Sequence, residues 1–174
     1  MKVNQQFFTT WLDYPDNESL AVLIYFYGCS ENCKNCQNKE YKNYNKGYEI
    51  NNKNIDLFIN EVKSFCIANK TNKIVFSGGD PLFNEFDELN FLLKELKKYD
   101  VCIYSGKDVE YTKDLRNFKF IKCGKFIEKY KQESIKTDTF IQFASKNQKL
   151  YNSGFELISD NGRYYFTEEK IYVQ

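Results

Sequence analysis

The sequence predicts an α/β fold of mainly parallel strands, folded as a single domain over residues 1–174. Segments with strand character alternate with segments of helical periodicity from residue 20 to residue 122. The first strand-like segment is a continuous apolar run, which is typical of a strand buried on both faces of a parallel sheet. A chain of 174 residues with 42% hydrophobic content suffices for one core, and no linker-like segment divides it.

The first predicted strand spans residues 20–27, an apolar and aromatic run that ends at Gly28. Three clustered cysteines follow in the loop at the carboxyl end of this strand. A helical stripe then begins after Asn54 and predicts an amphipathic helix with apolar positions at Ile55, Phe58, Ile59, Val62, Phe65 and Cys66. Residues 73–77 are the second predicted strand, which completes a βαβ unit.

A second βαβ unit follows directly. Residues 78–81, Gly-Gly-Asp-Pro, end the second strand, and a second amphipathic helix is indicated by Phe86, Leu89, Leu92, Leu93 and Leu96. Residues 101–105 predict a third strand, residues 107–115 a short polar helix, and residues 118–122 a fourth strand. Crossover connections of this kind are right-handed, so we expect these strands to run parallel.

The C-terminal region departs from this alternation. Residues 155–159 and 163–167 have strand character and flank Asp160, Asn161 and Gly162. These three residue types tolerate the positive φ angles of a tight turn. The sequence therefore predicts a C-terminal β-hairpin.

Charge and composition exclude several functional classes. The formal charge is +1, so there is no excess field to attract nucleic acid or anionic lipid. The chain has no histidine, which excludes Ser/His and Cys/His nucleophile pairs and every zinc site that needs imidazole. No N-terminal apolar segment or run of roughly 20 apolar residues is present. We therefore expect a cytoplasmic protein with neither a nucleic-acid nor a membrane partner.

The cysteines carry the clearest chemical signal. Cys29, Cys33 and Cys36 lie within eight residues in a C-x3-C-x2-C spacing, whereas the other three cysteines are scattered. Three thiolates from one short loop can bind one face of a 4Fe-4S cluster. Electron-transfer clusters use four cysteines, so three ligands leave one iron open to a substrate or cofactor.

Two other interpretations of the cysteines remain open at this point. The three thiols are either unrelated buried side chains, or part of a zinc site completed by Cys66, Cys102 or Cys123. Zinc sites prefer pairs of cysteines two to four residues apart, and no second pair exists. Cys66 lies on a helix stripe and Cys102 inside a strand, so we expect both in the core. Cys123 ends the fourth strand, on the same edge as the cluster if the sheet is parallel, and we leave it outside the site.

The cysteine spacing resembles the signature of the radical S-adenosylmethionine (SAM) superfamily, which follows the first strand of a partial (β/α) barrel. The resemblance implies that fold and a 4Fe-4S cluster held by the three cysteines. Many members carry an aromatic residue before the third cysteine, where this chain has Asn35.

A second stretch strengthens this resemblance. Residues 77–81, Ser-Gly-Gly-Asp-Pro, look like the Gly-Gly-Glu-Pro motif of the same superfamily, with Asp in place of Glu. Two glycines at a strand end let the backbone approach a ligand, and exposed carbonyls there can accept hydrogen bonds from an ammonium group. The resemblance thus implies SAM as a cofactor bound near Gly78, Gly79 and Asp80. The alternative for this stretch is a plain turn.

Four further stretches resemble the activating proteins of anaerobic ribonucleoside-triphosphate reductases. They are residues 28–29 with 36–38, residues 104–106, residues 120–128 and residues 144–149. On this resemblance Gln37 and Ser105 join the predicted cofactor-binding residues, although Ser105 equally fits a plain strand exit. Asn147 and Gln148 fit a solvated loop, and we assign them no catalytic role.

The resemblance implies a specific reaction. A reduced flavodoxin- or ferredoxin-type donor supplies an electron to the cluster, SAM is cleaved, and the resulting 5′-deoxyadenosyl radical takes a hydrogen from a glycine in the large subunit of the reductase. No general base is required and no side chain is assigned a catalytic role. The alternatives are a small radical SAM enzyme acting on a nucleotide-like metabolite or another glycyl radical protein, and a non-catalytic iron-sulfur or zinc protein.

Overall fold

The computed structural model describes residues 1–15, 20–132, 140–160, 163–166 and 171–173. The strands are β1 (Lys2–Val3), β2 (Phe8–Thr10), β3 (Ala21–Phe26), β4 (Tyr48–Glu49), β5 (Lys73–Gly78), β6 (Asp100–Tyr104), β7 (Phe120–Cys123), β8 (Phe140–Gln142), β9 (Lys149–Asn152), β10 (Leu157–Ser159), β11 (Arg163–Phe166) and β12 (Ile171–Val173). The α-helices are α1 (Ile55–Ala68) and α2 (Phe86–Glu95). Short 3₁₀ turns span Lys39–Lys42, Tyr44–Lys46, Pro81–Phe83, Val109–Thr112 and Glu128–Tyr130.

The main sheet has the strand order β10-β9-β7-β6-β5-β3-β1-β4, and β2 also pairs with β3. The four central strands, β3, β5, β6 and β7, run parallel to one another. The outer strands pair with their neighbours in antiparallel orientation. Within the described residues the sheet is open, because its end strands β10 and β4 do not pair with each other. This confirms the predicted α/β class, a partial barrel with a parallel centre. The carboxyl ends of the four parallel strands meet at one edge, which we call the carboxyl edge.

Both helices pack on the same face of this sheet. They form the crossovers from β3 to β5 and from β5 to β6, and their apolar stripes are buried as the periodicity predicted. The opposite face carries a second apolar cluster, formed by the alternate strand residues Ala21, Leu23, Val75, Cys102, Phe120 and Leu150, together with Tyr14 and Phe143. Neither of the two described α-helices is long and apolar enough to cross a membrane.

The connection between β6 and β7 differs from the prediction. A polar helix was expected over residues 107–115, but the structure has only a 3₁₀ turn at Val109–Thr112. This segment has no continuous apolar stripe to bury, so packing does not stabilise a longer helix. The hydroxyl of Thr112 also donates to the carbonyl of Val109 at 2.7 Å, a local bond that competes with helical pairing.

The C-terminal region is antiparallel, but its strand partners differ from the prediction. Strand β10 pairs with β9 in the main sheet, whereas β11 pairs with β8 and β12 in a separate three-stranded sheet. The prediction of a hairpin that joins residues 155–159 to 163–167 is therefore wrong. Asn161, Gly162 and Thr167 lie outside the described residues. The turn before β10 explains the change, because Asn152 Oδ1 accepts from the backbone N–H groups of Gly154 and Glu156 and closes a tight β9–β10 turn.

Candidate metal centre

The three clustered cysteines lie in one loop at the carboxyl edge, residues 29–36, which we call the cysteine loop. All three thiols are free and partly exposed. The loop begins after Gly28, whose φ is +97°. Asn35, with φ 57°, forms the turn between Cys33 and Cys36, and asparagine is among the few residues that adopt this conformation readily. The positive φ angles in and beside the loop therefore occur at residue types that adopt them readily.

The Gly-Gly segment packs directly beneath the start of this loop. The backbone N–H of Gly79 donates to the carbonyl of Phe26 at 2.8 Å, and that of Asp80 donates to the carbonyl of Gly28 at 2.7 Å. Gly78 has φ +107°, and a side chain there would overlap the backbone of Phe26. A side chain on Gly79 would overlap the carbonyl oxygens of Gly28 and Tyr41. The close approach that these glycines permit is thus to the backbone that frames the cysteine loop.

Asp80 joins the exits of two neighbouring strands. Its side chain is buried, and one carboxylate oxygen accepts from the N–H of Leu82 at 3.0 Å. The other oxygen accepts from the hydroxyl of Ser105 at 3.1 Å and from the N–H of Gly106 at 3.0 Å. Burial raises the pKa of Asp80, while these three hydrogen bonds act in the opposite direction. The carboxylate therefore ties the end of β5 to the end of β6.

We expect Asp80→Ala to destabilise the fold by about 2 to 4 kcal/mol, because it leaves two buried donors and one partly buried donor without their acceptor. Urea denaturation of the variant and parent measures this difference. Asp114→Ala is the matched control, because Asp114 is exposed and that substitution should cost under about 0.5 kcal/mol. Equal stability of the two variants would contradict the role given to Asp80.

Ion pairs hold the first half of the cysteine loop to the exits of β6 and β7. Glu31 lies 3.2 Å from Lys107 Nζ and 3.8 Å from Lys125 Nζ. Lys107 Nζ also donates to the hydroxyl of Ser30 at 2.6 Å. Sequence reasoning did not identify these residues, because Glu31 and Lys107 are 76 positions apart and no local pattern links them.

The second half of the loop is held by Glu128, at the 3₁₀ turn that follows β7. One carboxylate oxygen accepts from Asn35 Nδ2 at 2.5 Å, and the other lies 3.1 Å from Lys34 Nζ. The hydrogen bonds from Lys34 and Asn35 lower the pKa of Glu128. The side chain of Asn35 thus contacts a residue outside the cysteine loop.

The remaining three cysteines have a different environment. Cys66, Cys102 and Cys123 are all buried, which confirms the predicted core positions of Cys66 and Cys102. Burial raises the pKa of Cys66 and of Cys123 to about 12 and that of Cys102 well above its usual value. Thiols with such pKa values stay protonated at neutral pH, and the thiolate is the metal ligand. Cys123 ends β7 at the carboxyl edge but packs with the helix-side core.

The cysteine loop suits a multi-iron cluster. Burial raises the pKa of Cys29. The hydrogen bond that its thiol donates to the carbonyl of Glu31 acts in the opposite direction. Across the described residues no three Cys, Asp or Glu side chains surround a single point where one metal ion could sit. In a 4Fe-4S cluster each cysteine binds a different iron, so the three thiolates are spread over the cluster and need not meet at one ion. Three free, partly exposed thiols in one loop are the appropriate donor set.

The fold brings four of the five predicted cofactor-binding residues close together. Gly78, Gly79, Asp80 and Ser105 adjoin one another at the carboxyl edge, where Asp80 and Ser105 are buried and bonded to each other. Gln37 is exposed in the turn after Cys36. Within the described part of the chain, no hydrogen bond joins Gln37 to the others. Cofactor contact by these five residues stays a prediction.

Comparison with known proteins identifies the type of domain. The family model of the 4Fe-4S single cluster domain matches residues 18–151, which include the cysteine loop and all four parallel strands. The match covers well over half of the 174 residues. No curated protein matches the chain.

Proposed function

This chain belongs to the 4Fe-4S single cluster domain family, and we propose that it is a radical SAM activase that generates a glycyl radical on an anaerobic ribonucleoside-triphosphate reductase. The observation that carries the proposal is the cysteine loop, which offers three thiols to a four-iron cluster. A cluster with one open iron is suited to bind a second cofactor, and the Gly-Gly-Asp-Pro segment directly beneath the loop resembles a SAM-binding motif.

The chain's own residues have three tasks in this proposal. Cys29, Cys33 and Cys36 would hold the cluster at the carboxyl edge. The segment from Gly78 to Asp80 positions the loop through backbone hydrogen bonds. Backbone carbonyl groups at such a strand end would suit an ammonium group such as the methionyl amine. Together, a bound cluster and SAM supply reductive sulfonium cleavage and a carbon radical able to take a hydrogen atom from a glycine α-carbon.

Aromatic side chains around the loop would limit the access of water and oxygen. Tyr41 stacks on Tyr25 with ring centroids 4.3 Å apart and meets Tyr27 edge-on at 5.2 Å. Phe83 lies beside Gly28 and packs on Tyr44 with ring centroids 5.5 Å apart. These aromatic rings form an apolar surface around the end of β3 and Gly28, where the cysteine loop begins. A protein substrate would have to bring a loop to the carboxyl edge, and within the described residues the sheet does not close into a full barrel.

The experiment is anaerobic mixing of the reduced protein with SAM and the reductase. We expect 5′-deoxyadenosine and methionine as products and a glycyl-radical doublet in the electron paramagnetic resonance spectrum. The doublet should disappear when the radical-bearing glycine of the reductase is replaced by alanine, which is the matched control for the partner. A reduced flavodoxin or ferredoxin serves as the electron donor, with dithionite as the comparison.

The other outcomes identify the alternatives. Rapid SAM cleavage without a radical on the reductase would overturn the activase role and favour a small radical SAM enzyme acting on a nucleotide-like metabolite or another glycyl radical protein. A reduced cluster that leaves SAM intact would overturn the radical SAM proposal and favour a non-catalytic iron-sulfur protein. A doublet that forms equally with Cys33→Ala would contradict the proposed source of the radical.

A further inference from the structure

A buried lysine near the cysteine loop has no partner in the site described above. Lys122 lies on β7, its residue is 8% exposed, and its Nζ is 5.2 Å from the centroid of the Tyr104 ring. Tyr104 packs with the apolar cluster opposite the helices, so Lys122 is on that face of the sheet. Within the described residues, no carboxylate lies at ion-pair distance from Nζ, and Nζ donates no hydrogen bond.

Lys122 ends a row of polar residues that crosses the four parallel strands. Tyr25 pairs with Ser77, and Tyr104 pairs with Lys122, in adjacent strands of the sheet. The β5–β6 register, which pairs Phe76 with Ile103, places Ser77 beside Tyr104. We call Tyr25, Ser77, Tyr104 and Lys122 the inner-face row. Each member is the last or second-last residue of its strand, so the row lies near the carboxyl edge, where the cysteine loop begins.

An ammonium on so buried a side chain is costly without an anion, because it loses much of its hydration without regaining an ion pair. Burial lowers the pKa of Lys122 to about 8, opposed by Cys123, Asp80, Cys102 and Cys33. The carboxylate of Asp80 is already occupied by three donors, and the thiols of Cys102 and Cys123 are protonated at neutral pH. The thiol of Cys33 is a proposed cluster ligand. Apart from that ligand, the described residues supply no free anion for Lys122, and a partner from outside the chain would supply one.

We propose that Lys122 is the anion-binding residue of a ligand site on the inner-face row and pairs with a carboxylate or phosphate oxyanion of the bound ligand. The Tyr104 ring supports the ammonium from one side, and the hydroxyls of Ser77 and Tyr25 extend the polar surface toward β3. The oxyanion has two sources, the carboxylate of SAM or an oxyanion on a second substrate. This proposal deepens the proposed function, since the row adjoins the same cysteine loop.

The test compares Lys122→Met with the parent by equilibrium binding to the cluster-loaded protein under anaerobic conditions. The probes are SAM, decarboxylated SAM and inorganic phosphate. Methionine keeps the length and apolar stem of the lysine and removes only its charge. Lys119→Met is the matched control, because that side chain is 53% exposed and its Nζ lies 3.7 Å from Asp100, at the opposite end of the parallel strands.

We expect Lys122→Met to bind at least one oxyanion probe ten-fold or more weakly, with no change in Lys119→Met. A loss for SAM but not for decarboxylated SAM identifies the SAM carboxylate as the source. A loss for phosphate with SAM affinity unchanged identifies an oxyanion of a second substrate. Unchanged affinity for both oxyanion probes would overturn the proposal. The phosphate measurement remains decisive even if the protein does not bind or cleave SAM, so the two proposals fail independently.

Stability supplies a second readout that a merely structural lysine would not reproduce. In the folded protein the pKa of Lys122 is about 8, below its usual value of 10.5, so folding releases a proton between these pH values. The destabilising effect of the charge is complete below pH 8 and declines as pH rises toward 10.5. Lys122→Met should therefore melt several degrees above the parent at pH 7, with the gain shrinking above pH 8. A lower melting temperature would overturn the premise that the ammonium is unpaired.

Discussion

Replacement of Cys29, Cys33 or Cys36 by alanine is expected to remove the iron-sulfur cluster, whereas alanine at Cys66, Cys102 or Cys123 should leave it in place. Each cysteine of the loop would supply one of three protein ligands, so loss of any one leaves two irons without a protein ligand. The other three thiols are buried, with pKa values that keep them protonated at neutral pH. Iron and sulfide analysis after anaerobic reconstitution measures the effect.

The matched comparison is between Cys29→Ala and Cys123→Ala. Both residues lie at the carboxyl edge, one in the loop after β3 and the other at the end of β7. We expect iron and sulfide in Cys29→Ala to fall to under a tenth of the parent value, and those in Cys123→Ala to stay near it. Retention of the cluster by Cys29→Ala, or its loss in Cys123→Ala from a protein that still folds, would show that the ligand set is wrong.

Gly79→Ala is expected to destabilise the protein by at least about 2 kcal/mol and to reduce cluster loading. A β-carbon at this position would overlap the carbonyl oxygen of Gly28 and lie 2.6 Å from that of Tyr41. Both atoms belong to backbone that frames the cysteine loop, so no flexible side chain can move aside. Urea denaturation gives the stability, and iron analysis gives the loading.

Gly154→Ala is the control for this prediction. Its β-carbon would lie 3.3 Å from Asn152 Oδ1, a side-chain atom that can shift by a few tenths of an ångström. We expect it to cost under about 1 kcal/mol and to leave cluster loading unchanged. If Gly79→Ala matched Gly154→Ala in both measurements, the glycine at position 79 would not be needed for the approach of the two backbones.

Much of the fold was predictable because local patterns encode it. The apolar run before Gly28 predicted β3, and the apolar stripes predicted α1 and α2, each within about two residues of the observed bounds. The short additional strands β1, β2 and β4 carry no such pattern, and each is stabilised by pairing with a distant segment. The predicted C-terminal strand partners were wrong because turn residues indicate where a chain reverses but not which strand it then joins. The helix predicted between β6 and β7 was wrong because that segment has no apolar stripe to stabilise a helix by packing.

The candidate site likewise has features that the local sequence predicts and features that depend on the tertiary structure. The spacing of Cys29, Cys33 and Cys36 by itself determined which thiols share one loop, because ligand spacing is a local property. The tertiary structure decided what surrounds that loop, namely Lys107, the carboxylate of Glu128, the buried Asp80 and the unpaired Lys122. These residues come from distant parts of the chain. Only folding of the parallel strands brings their ends to one edge, where burial and hydrogen bonds together set the pKa values of the charged groups.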